Sequence, residues 1–319
     1  MRNLILTAAA LLVLASARPA WAVSQQAGTA GAQFLKLGAG ARAGGMADSF
    51  AAIADDADAA YYNPAGLTQL QGTQLAGAHT QLFQGISYEA VDFAVPFGRE
   101  EGYSRHALAV GIYYLSVGDI ERRTSDSTDR VGTFGASDAA YALSYAHAFG
   151  RSLGLGLTGK YIAQSIDSYS ARSYSADAGV LYHLNPEGDR PLSLAAVVKN
   201  MGGKSEGFVA GNSDQLPLSM TAGAAWRLVP KKFVLDLEAA KYRDSGLFGS
   251  LGGEYTHAFN DNVSGGLRFG YSTQRKDIDG LNGIALGGGL NLRKASFDFA
   301  WQPFGVLGNT FRYSLLIRF

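Results

Sequence analysis

From Thr73 to the end of the chain, apolar side chains recur at every second position, with small or polar residues between them. Turn-forming residues break this alternation into fourteen segments of about ten residues, the signature of β-strands rather than helices. The segments are 73–83, 85–97, 105–117, 137–149, 152–165, 173–184, 191–200, 217–228, 231–242, 247–259, 262–273, 281–292, 295–303 and 310–319. In the last of them Phe311, Tyr313, Leu315, Ile317 and Phe319 share one face, while Arg312, Ser314 and Arg318 share the other. About ten residues is the length of a tilted strand crossing a bilayer. Such strands carry apolar residues outward and aromatic residues toward the ends.

A soluble sheet would turn its apolar face inward and cover the other with Lys, Glu and Thr. Here the second face is mostly Gly, Ala and Ser. Its isolated charges are Asp92, Lys160, Asp177, Arg227, Asp236, Glu238, Glu254, Arg268, Asp298 and Arg312. A face so sparse suits the lumen of a barrel, where opposing side chains must fit and the charges can pair. The pattern therefore predicts an all-β protein: a 14-stranded antiparallel transmembrane β-barrel over 73–319.

Connection lengths test this independently. The links at 149–152, 228–231, 259–262 and 292–295 are short, with 185–191 and 98–105 slightly longer. Most of those between are longer: 118–136, 166–172, 201–216, 273–280 and 304–309. The links near Gln84 and at 243–246 are short exceptions. Outer-membrane barrels have short periplasmic turns and long external loops. The phase of the alternation places both termini in the periplasm. The chain stops on Phe319, preceded at alternate positions by Ile317, Leu315 and Tyr313. A terminal aromatic on such a strand resembles the signal read by the barrel assembly machinery.

Composition fits the same picture. The 319 residues carry 27 basic and 27 acidic side chains, a balance that argues against nucleic-acid binding. Charged residues are 17% and glycines number 41, while cysteine is absent, which excludes disulfides and thiolate chemistry. Residues 1–22 read as a signal peptide: Arg2, an apolar run from Leu4 to Ala17, then Ala20-Trp21-Ala22 as a small-x-small cleavage box.

Residues 23–72 break the alternation. They are rich in Gly and Ala and contain Ala60-Tyr61-Tyr62-Asn63-Pro64-Ala65-Gly66-Leu67. That phrase closely resembles the Asn-Pro-Ala box of FadL-type long-chain fatty-acid transporters. The run from Gln33 to Gly45, followed by 47–58 and the box, is similar to the N-terminus of the PorV/PorQ group. These are outer-membrane proteins related to FadL-type barrels and include components of type IX secretion. The resemblance implies that 23–72 folds inside the barrel as an N-terminal plug; Asn63, Pro64 and Ala65 are then either ligand or gating residues or a structural turn that ends a short helix. A physical reason points the same way: about eight strands already enclose an interior that side chains can fill, and fourteen enclose more. Arg42, Asp48, Asp55, Asp56 and Asp58 are then candidates to pair with wall charges.

No other chemistry stands out. Gly38-Ala39-Gly40 does not complete a dinucleotide fingerprint, and Gly203-Lys204-Ser205 lacks the first glycine of a phosphate loop. The five histidines lie one per strand without ligand spacing, so no metal site, cofactor or enzymatic activity is expected. The expected location is the bacterial outer membrane, with membrane lipid and the assembly machinery as partners. Two functions stay open. The resemblance at 33–67 leans toward a PorV/PorQ-type adaptor or shuttle in type IX-like protein secretion, with a secreted protein or secretion component as partner. The alternative is FadL-like passive transport of a hydrophobic small molecule, such as a long-chain fatty acid.

Overall fold

The computed structural model describes residues 28–319 apart from 124–128, 189–190, 203, 207, 209–212, 231 and 276–277; the expected signal peptide at 1–22 lies outside the described residues. The first seven strands are β1 (Gln74–Gln81), β2 (Ser87–Glu100), β3 (Tyr103–Arg122), β4 (Gly132–Phe149), β5 (Leu153–Ile166), β6 (Tyr169–Leu184) and β7 (Leu192–Gly202). A small ribbon, β8 (Lys204–Glu206) and β9 (Ser213–Gln215), stands apart from the main sheet. The remaining seven are β10 (Ser219–Val229), β11 (Phe233–Tyr242), β12 (Leu247–Asn260), β13 (Val263–Ser272), β14 (Ile284–Leu292), β15 (Ala295–Pro303) and β16 (Asn309–Arg318).

Fourteen of these strands form one closed antiparallel barrel in sequence order, with β7 beside β10 and β1 sealing against β16. Each of the fourteen segments read from the alternation overlaps one barrel strand. Closure pairs Gln74 with Arg318 and Gln81 with Phe311, and the Phe319 amide donates to the Thr73 carbonyl at 2.9 Å. A closed ring leaves no unpaired edge, which a bilayer requires because lipid offers no hydrogen bonds.

Burial follows the sequence alternation. Along β5 the inward Gly154, Gly156 and Thr158 are buried, while Leu155 and Leu157 are exposed. Large apolar side chains such as Val110, Ile112, Leu143, Leu157 and Leu267 form an exposed outer band. In an ordinary soluble monomer so much contiguous apolar surface would drive association; facing lipid, it is solvated. Aromatic rings gather toward one end of this band. Phe97 stacks on His106 at 5.1 Å, His106 accepts or donates a 2.8 Å hydrogen bond with the Tyr145 hydroxyl, and His147 meets Phe149 edge-on.

The connections differ from expectation where polar sequence still pairs as strand. β3 continues to Arg122 and β4 begins at Gly132, so most of the expected 118–136 loop is a β-ribbon, with a register shift between Val117 and Ile120. The expected 166–172 loop reduces to a turn at Asp167-Ser168, where Asp167 adopts φ 53°. Asp tolerates that left-handed backbone better than most residues. β14 starts at Ile284, later than the alternation suggested. One wall is consequently taller, since β3 has 20 residues and β15 has 9.

Residues 30–70 lie within the ring. They form short helical turns at Gln33–Lys36, Ala41–Gly44, Ala59–Tyr62 and Pro64–Gln69, each too short to be stable alone. Their stability comes from packing: Phe34, Met46, Phe50, Ile53, Leu67 and Leu70 are buried in one cluster with wall residues Ala76, Ala90, Ala109, Ala142 and Leu181. Glycines in the wall make the approach possible. A Cβ at Gly156 would lie 2.3 Å from the Ala65 amide nitrogen, and one at Gly179 would lie 2.1 Å from Asn63 Oδ1. Across the lumen, Gly252 and Gly270 accommodate Met46 in the same way. Only residues without a side chain let two backbones come this close.

Gly156→Val is expected to leave the barrel intact, seen as retained heat-modifiable migration on gels. It should also release the inner segment, seen as tryptic cleavage at Lys36 or Arg42 that the wild type resists.

Candidate functional site

The lumen is the one region where chemistry-bearing side chains converge, and the Asn-Pro-Ala box shows how the inner segment is fixed there. The turn Ala59–Tyr62 ends at Asn63, whose backbone is extended (φ −155°, ψ 103°), because the residue before a proline is disfavoured in the helical region. Pro64 then opens the next turn, where its missing N–H costs nothing. The Asn63 side chain is wholly buried and fully used. It donates to the carbonyls of Ala51 (2.9 Å) and Val180 (3.2 Å), and its Oδ1 accepts from the Ala65 amide at 3.1 Å. The box thus ties the inner segment to β6, and Pro64 and Ala65 are buried beside it.

All ten lumen charges project from inner-wall positions, yet they gather in separate places rather than one. Arg42 of the inner segment grips Glu254 through two 2.9 Å hydrogen bonds and reaches Asp55 at 2.6 Å and Asp56 at 2.8 Å. Arg268 bonds Glu254 at 2.6 Å and Asp298 at 2.7 Å. Arg227 meets Asp55 at 3.2 Å. Bidentate guanidinium–carboxylate pairs of this kind are strong and geometrically specific. On another wall Arg312 holds Asp48 at 2.7 Å and donates to the Gly40 carbonyl at 3.1 Å. Lys160, Asp177 and Asn200 form a buried cluster within β5, β6 and β7. It sits at the irregularity where Asp177 interrupts the β6–β7 register.

The remaining acids do other work. Glu238 accepts the backbone amides of Phe50 (2.7 Å) and Ala51 (2.5 Å), which no helix satisfies. Asp236 takes the Ser49 hydroxyl at 3.3 Å, and Asp92 takes the Tyr113 hydroxyl at 2.7 Å. Of the expected meetings between segment and wall charges, Arg42 with Glu254, Asp55 with Arg227 and Asp48 with Arg312 occur, whereas Asp236 and Glu238 bind neutral donors. Tyr313, Leu315, Ile317 and Phe319 face outward, with the Tyr313 ring 5.4 Å from Phe299.

Several lumen residues escaped the sequence reading because they lie beyond the regular alternation or depend on distant partners. Lys36 pairs with Asp244 at 2.6 Å. The Lys199 ammonium sits 3.7 Å from the centre of the Tyr61 ring and donates to the Tyr61 carbonyl. Gln302 donates to the Gly44 carbonyl at 2.7 Å, and Arg275 lies 3.9 Å over Phe304. No sequence signal marks these pairs, since none has a fixed spacing. His106 and His147, read as unrelated, approach to 3.2 Å on the outer face; among the described residues no three ligating side chains gather around a metal position.

The inner segment separates two cavities. At the end where β1 begins and β16 ends, a cavity of about 270 Å³ is lined by the cations Arg42, Arg268 and Arg318 and by five carboxylates, Asp55, Asp56, Asp58, Glu254 and Asp298. At the end carrying the longer connections, a cavity of about 230 Å³ is lined by Lys36, Arg275 and Arg312 with Asp48 as its sole carboxylate. Both hold polar groups, and the turn 40–48 lies between them.

Two acids of the inner segment have opposite energetics. Burial alone would raise Asp48, but the Arg312 charge and hydrogen bonds from Arg312 and Tyr62 outweigh it and hold the carboxyl at about 2. Asp58 is pushed well above the usual carboxylate range, first by burial and then by Asp56, Asp92 and Asp298. A depressed acid stabilises docking above pH 3.8 and loses that contribution as pH falls toward 2; a raised acid weakens docking as pH climbs above 3.8. Asp48→Asn should therefore loosen the segment at pH 7 by roughly 1–3 kcal/mol, the cost of leaving a buried polar partner unpaired. Asp58→Asn should tighten it at pH 7 and have no effect below pH 3.8. Urea midpoints followed through the near-ultraviolet circular dichroism of Tyr61 and Tyr62 would show both signs.

With this geometry in place, comparison with known proteins bears on the fold. No curated protein matches the sequence. Among solved structures, the chain is similar to CymD, a monoaromatic hydrocarbon channel, at 13% identity and TM-score 0.60, covering 88% of this chain and 98% of that one. It is similar to the Ralstonia pickettii toluene transporter TbuX at 13% identity and TM-score 0.55, with the same shares covered. A Pseudomonas aeruginosa FadL homologue matches at 12% identity and TM-score 0.51, again over 88% of this chain and 98% of that one. At such identities the likeness concerns the fold, a FadL-like outer-membrane barrel. It supports the FadL side of the resemblance read in the sequence and gives no support to the PorV/PorQ assignment or to a secretion role. A family model described as an uncharacterised protein family, UPF0164, matches residues 9–208, well over half of the 319-residue chain, and the protein belongs to that family.

Proposed function

We propose that this protein is a passive outer-membrane channel for small apolar or amphipathic molecules, with the inner segment as its plug. The observation that carries the reading is a fold match over 88% of the chain to FadL-type barrels, hydrocarbon channels among them, joined to an inner segment hung on the wall by an Asn-Pro-Ala box. In this orientation Phe319 and the start of β1 face the periplasm, while the 243–246 connection and the described residues of the 203–218 and 273–283 connections face outward. Tyr313, Leu315, Ile317 and Phe319 then present the outward row that the assembly machinery reads. No energy source is needed, because flux follows the gradient of the solute.

Transport requires the plug to shift, since the turn 40–48 stands between the two cavities. The ties that must yield include the neutral hydrogen bonds of Asn63 to Val180 and of Gln302 to Gly44 and the stronger ion pair of Arg312 with Asp48. A neutral hydrogen bond contributes only about 1 kcal/mol net, so a subset can break while the hydrophobic contacts of Phe50 and Ile53 keep the segment inside.

A reversible lock tests the movement. A Cβ built at Gly223 lies 3.4 Å from the Ala52 Cβ, within reach of disulfide geometry, and the chain has no cysteine to interfere. With Ala52→Cys and Gly223→Cys, uptake of radiolabelled toluene or palmitate by intact cells should fall at least fivefold under oxidation and recover on reduction. Equal uptake in the two states would overturn the plug mechanism.

A further inference from the structure

The cavity at the outward-loop end contains a cation whose hydrogen-bonding capacity is not used. Arg275, in the short turn Thr273–Arg275, places one face of its guanidinium 3.9 Å over the Phe304 ring. Its Nη1 is buried and has no hydrogen-bond partner, and its Nη2 reaches Gln302 Oε1 only at 3.5 Å. The other cations lining this cavity are committed, Lys36 to Asp244 and Arg312 to Asp48. Asp48, the one carboxylate in the lining, is itself held by Arg312 and the Tyr62 hydroxyl. Among the described residues that line the cavity, the charge of Arg275 therefore has no ion-pair partner of its own.

We propose that this cavity is a binding site for a compact carboxylate with an apolar body, an aromatic acid in size and shape, held through the free edge of Arg275. The inference rests on the channel reading and names its substrate class. The planar guanidinium fork matches a carboxylate in two parallel hydrogen bonds, and such charge-assisted bonds are about twice as strong as neutral ones. The apolar body has Leu37, Leu82 and Phe304 to lie against. Volume selects the ligand: a dry cavity of roughly 150 Å³ accepts benzene, so about 230 Å³ leaves room for a ring plus a carboxylate. A neutral ring would fill the same walls but leave Nη1 buried and unpaired. A long acyl chain would exceed the space below the loops.

Calorimetry on the full chain in detergent, with benzoate and toluene as probes, separates these cases. Benzoate should bind saturably and at least tenfold more tightly than toluene, and its affinity should fall as salt is raised, as expected for a charge contact. Arg275→Gln should weaken benzoate at least tenfold and leave toluene unchanged, while Arg275→Lys retains part of the affinity. Retained heat-modifiable migration confirms that each variant is folded, and Phe304→Ala provides a second route, with an expected loss of benzoate affinity of about threefold or more. Equal affinity for the two probes, no saturable benzoate binding, or an Arg275→Gln variant that binds benzoate normally would each overturn the site. The channel reading is judged separately. Lock-sensitive toluene uptake without benzoate binding would remove the anion site and leave the channel, whereas benzoate binding with lock-insensitive uptake would do the reverse.

Discussion

A closed ring of fourteen strands is wider than its own inward side chains can fill, and most of the structure answers that constraint. Small barrels pack their interiors with wall residues alone. Here the wall contributes chiefly Ala, Gly and Ser, and the volume is taken by Phe34, Met46, Phe50, Ile53, Tyr61, Tyr62, Leu67 and Leu70 of the inner segment. The arrangement is reciprocal. Where the segment is bulky the wall is bare, as at Gly252 and Gly270 around Met46; where the segment narrows to Gly44, Arg312 comes in against it. A large side chain on the inner wall would have to displace the segment, so the glycine richness of the sequence and the presence of the segment are one fact.

Filling a lumen with short turns creates a second demand, since turns leave backbone groups that no helix or sheet satisfies. The wall's polar residues meet it. Glu238 takes the amides of Phe50 and Ala51, the Ser314 hydroxyl takes the amide of Ala41, and Gln74 takes the amide of Ala57. Gln302 and Gln69 serve carbonyls of Gly44, Ile53 and Ala54. Seen this way, a charge on the inner wall is first a partner for the segment's backbone or for Arg42 and Asp48, and only the remainder is free to meet a solute. Arg275 belongs to that remainder, and it lies on a connection rather than on a strand.

The strands were legible because lipid outside and a small-residue lumen inside force period two on every crossing. Each of the fourteen barrel strands overlaps its expected segment, and Phe311, Tyr313 and Leu315 face as the alternation requires. The ribbons beyond Val117 and Ile166 were not legible, because outside the bilayer both faces are wet and Glu121, Arg122 and Thr133 pair without an apolar period. The Asn-Pro-Ala box could be recognised, but not its partner: Val180 is 117 residues away and offers a backbone carbonyl, which leaves no mark on the sequence. The same holds for Lys36 with Asp244 and Lys199 with Tyr61. Ionic residues could be assigned to the lumen by parity, yet which of them meet is decided by barrel curvature and by the path of the inner segment.

That path also polarises the lumen. On the side where β1 begins and β16 ends, five carboxylates line the cavity against three cations; on the side of the long connections, three cations line it against Asp48. The segment between them buries Phe50, Ile53 and Ala54, an apolar layer that separates the two fields. In a low-dielectric gap charges act over longer distances than in bulk water. An anion approaching from the loop side is attracted as far as the segment and then faces carboxylates beyond it, whereas a neutral apolar solute feels neither field strongly. The same geometry therefore retains an acid where it first binds and makes its onward passage depend on protonation or on the segment carrying Arg42 and Asp48 out of register. A device that only filled space would have no reason to divide its charges in this way.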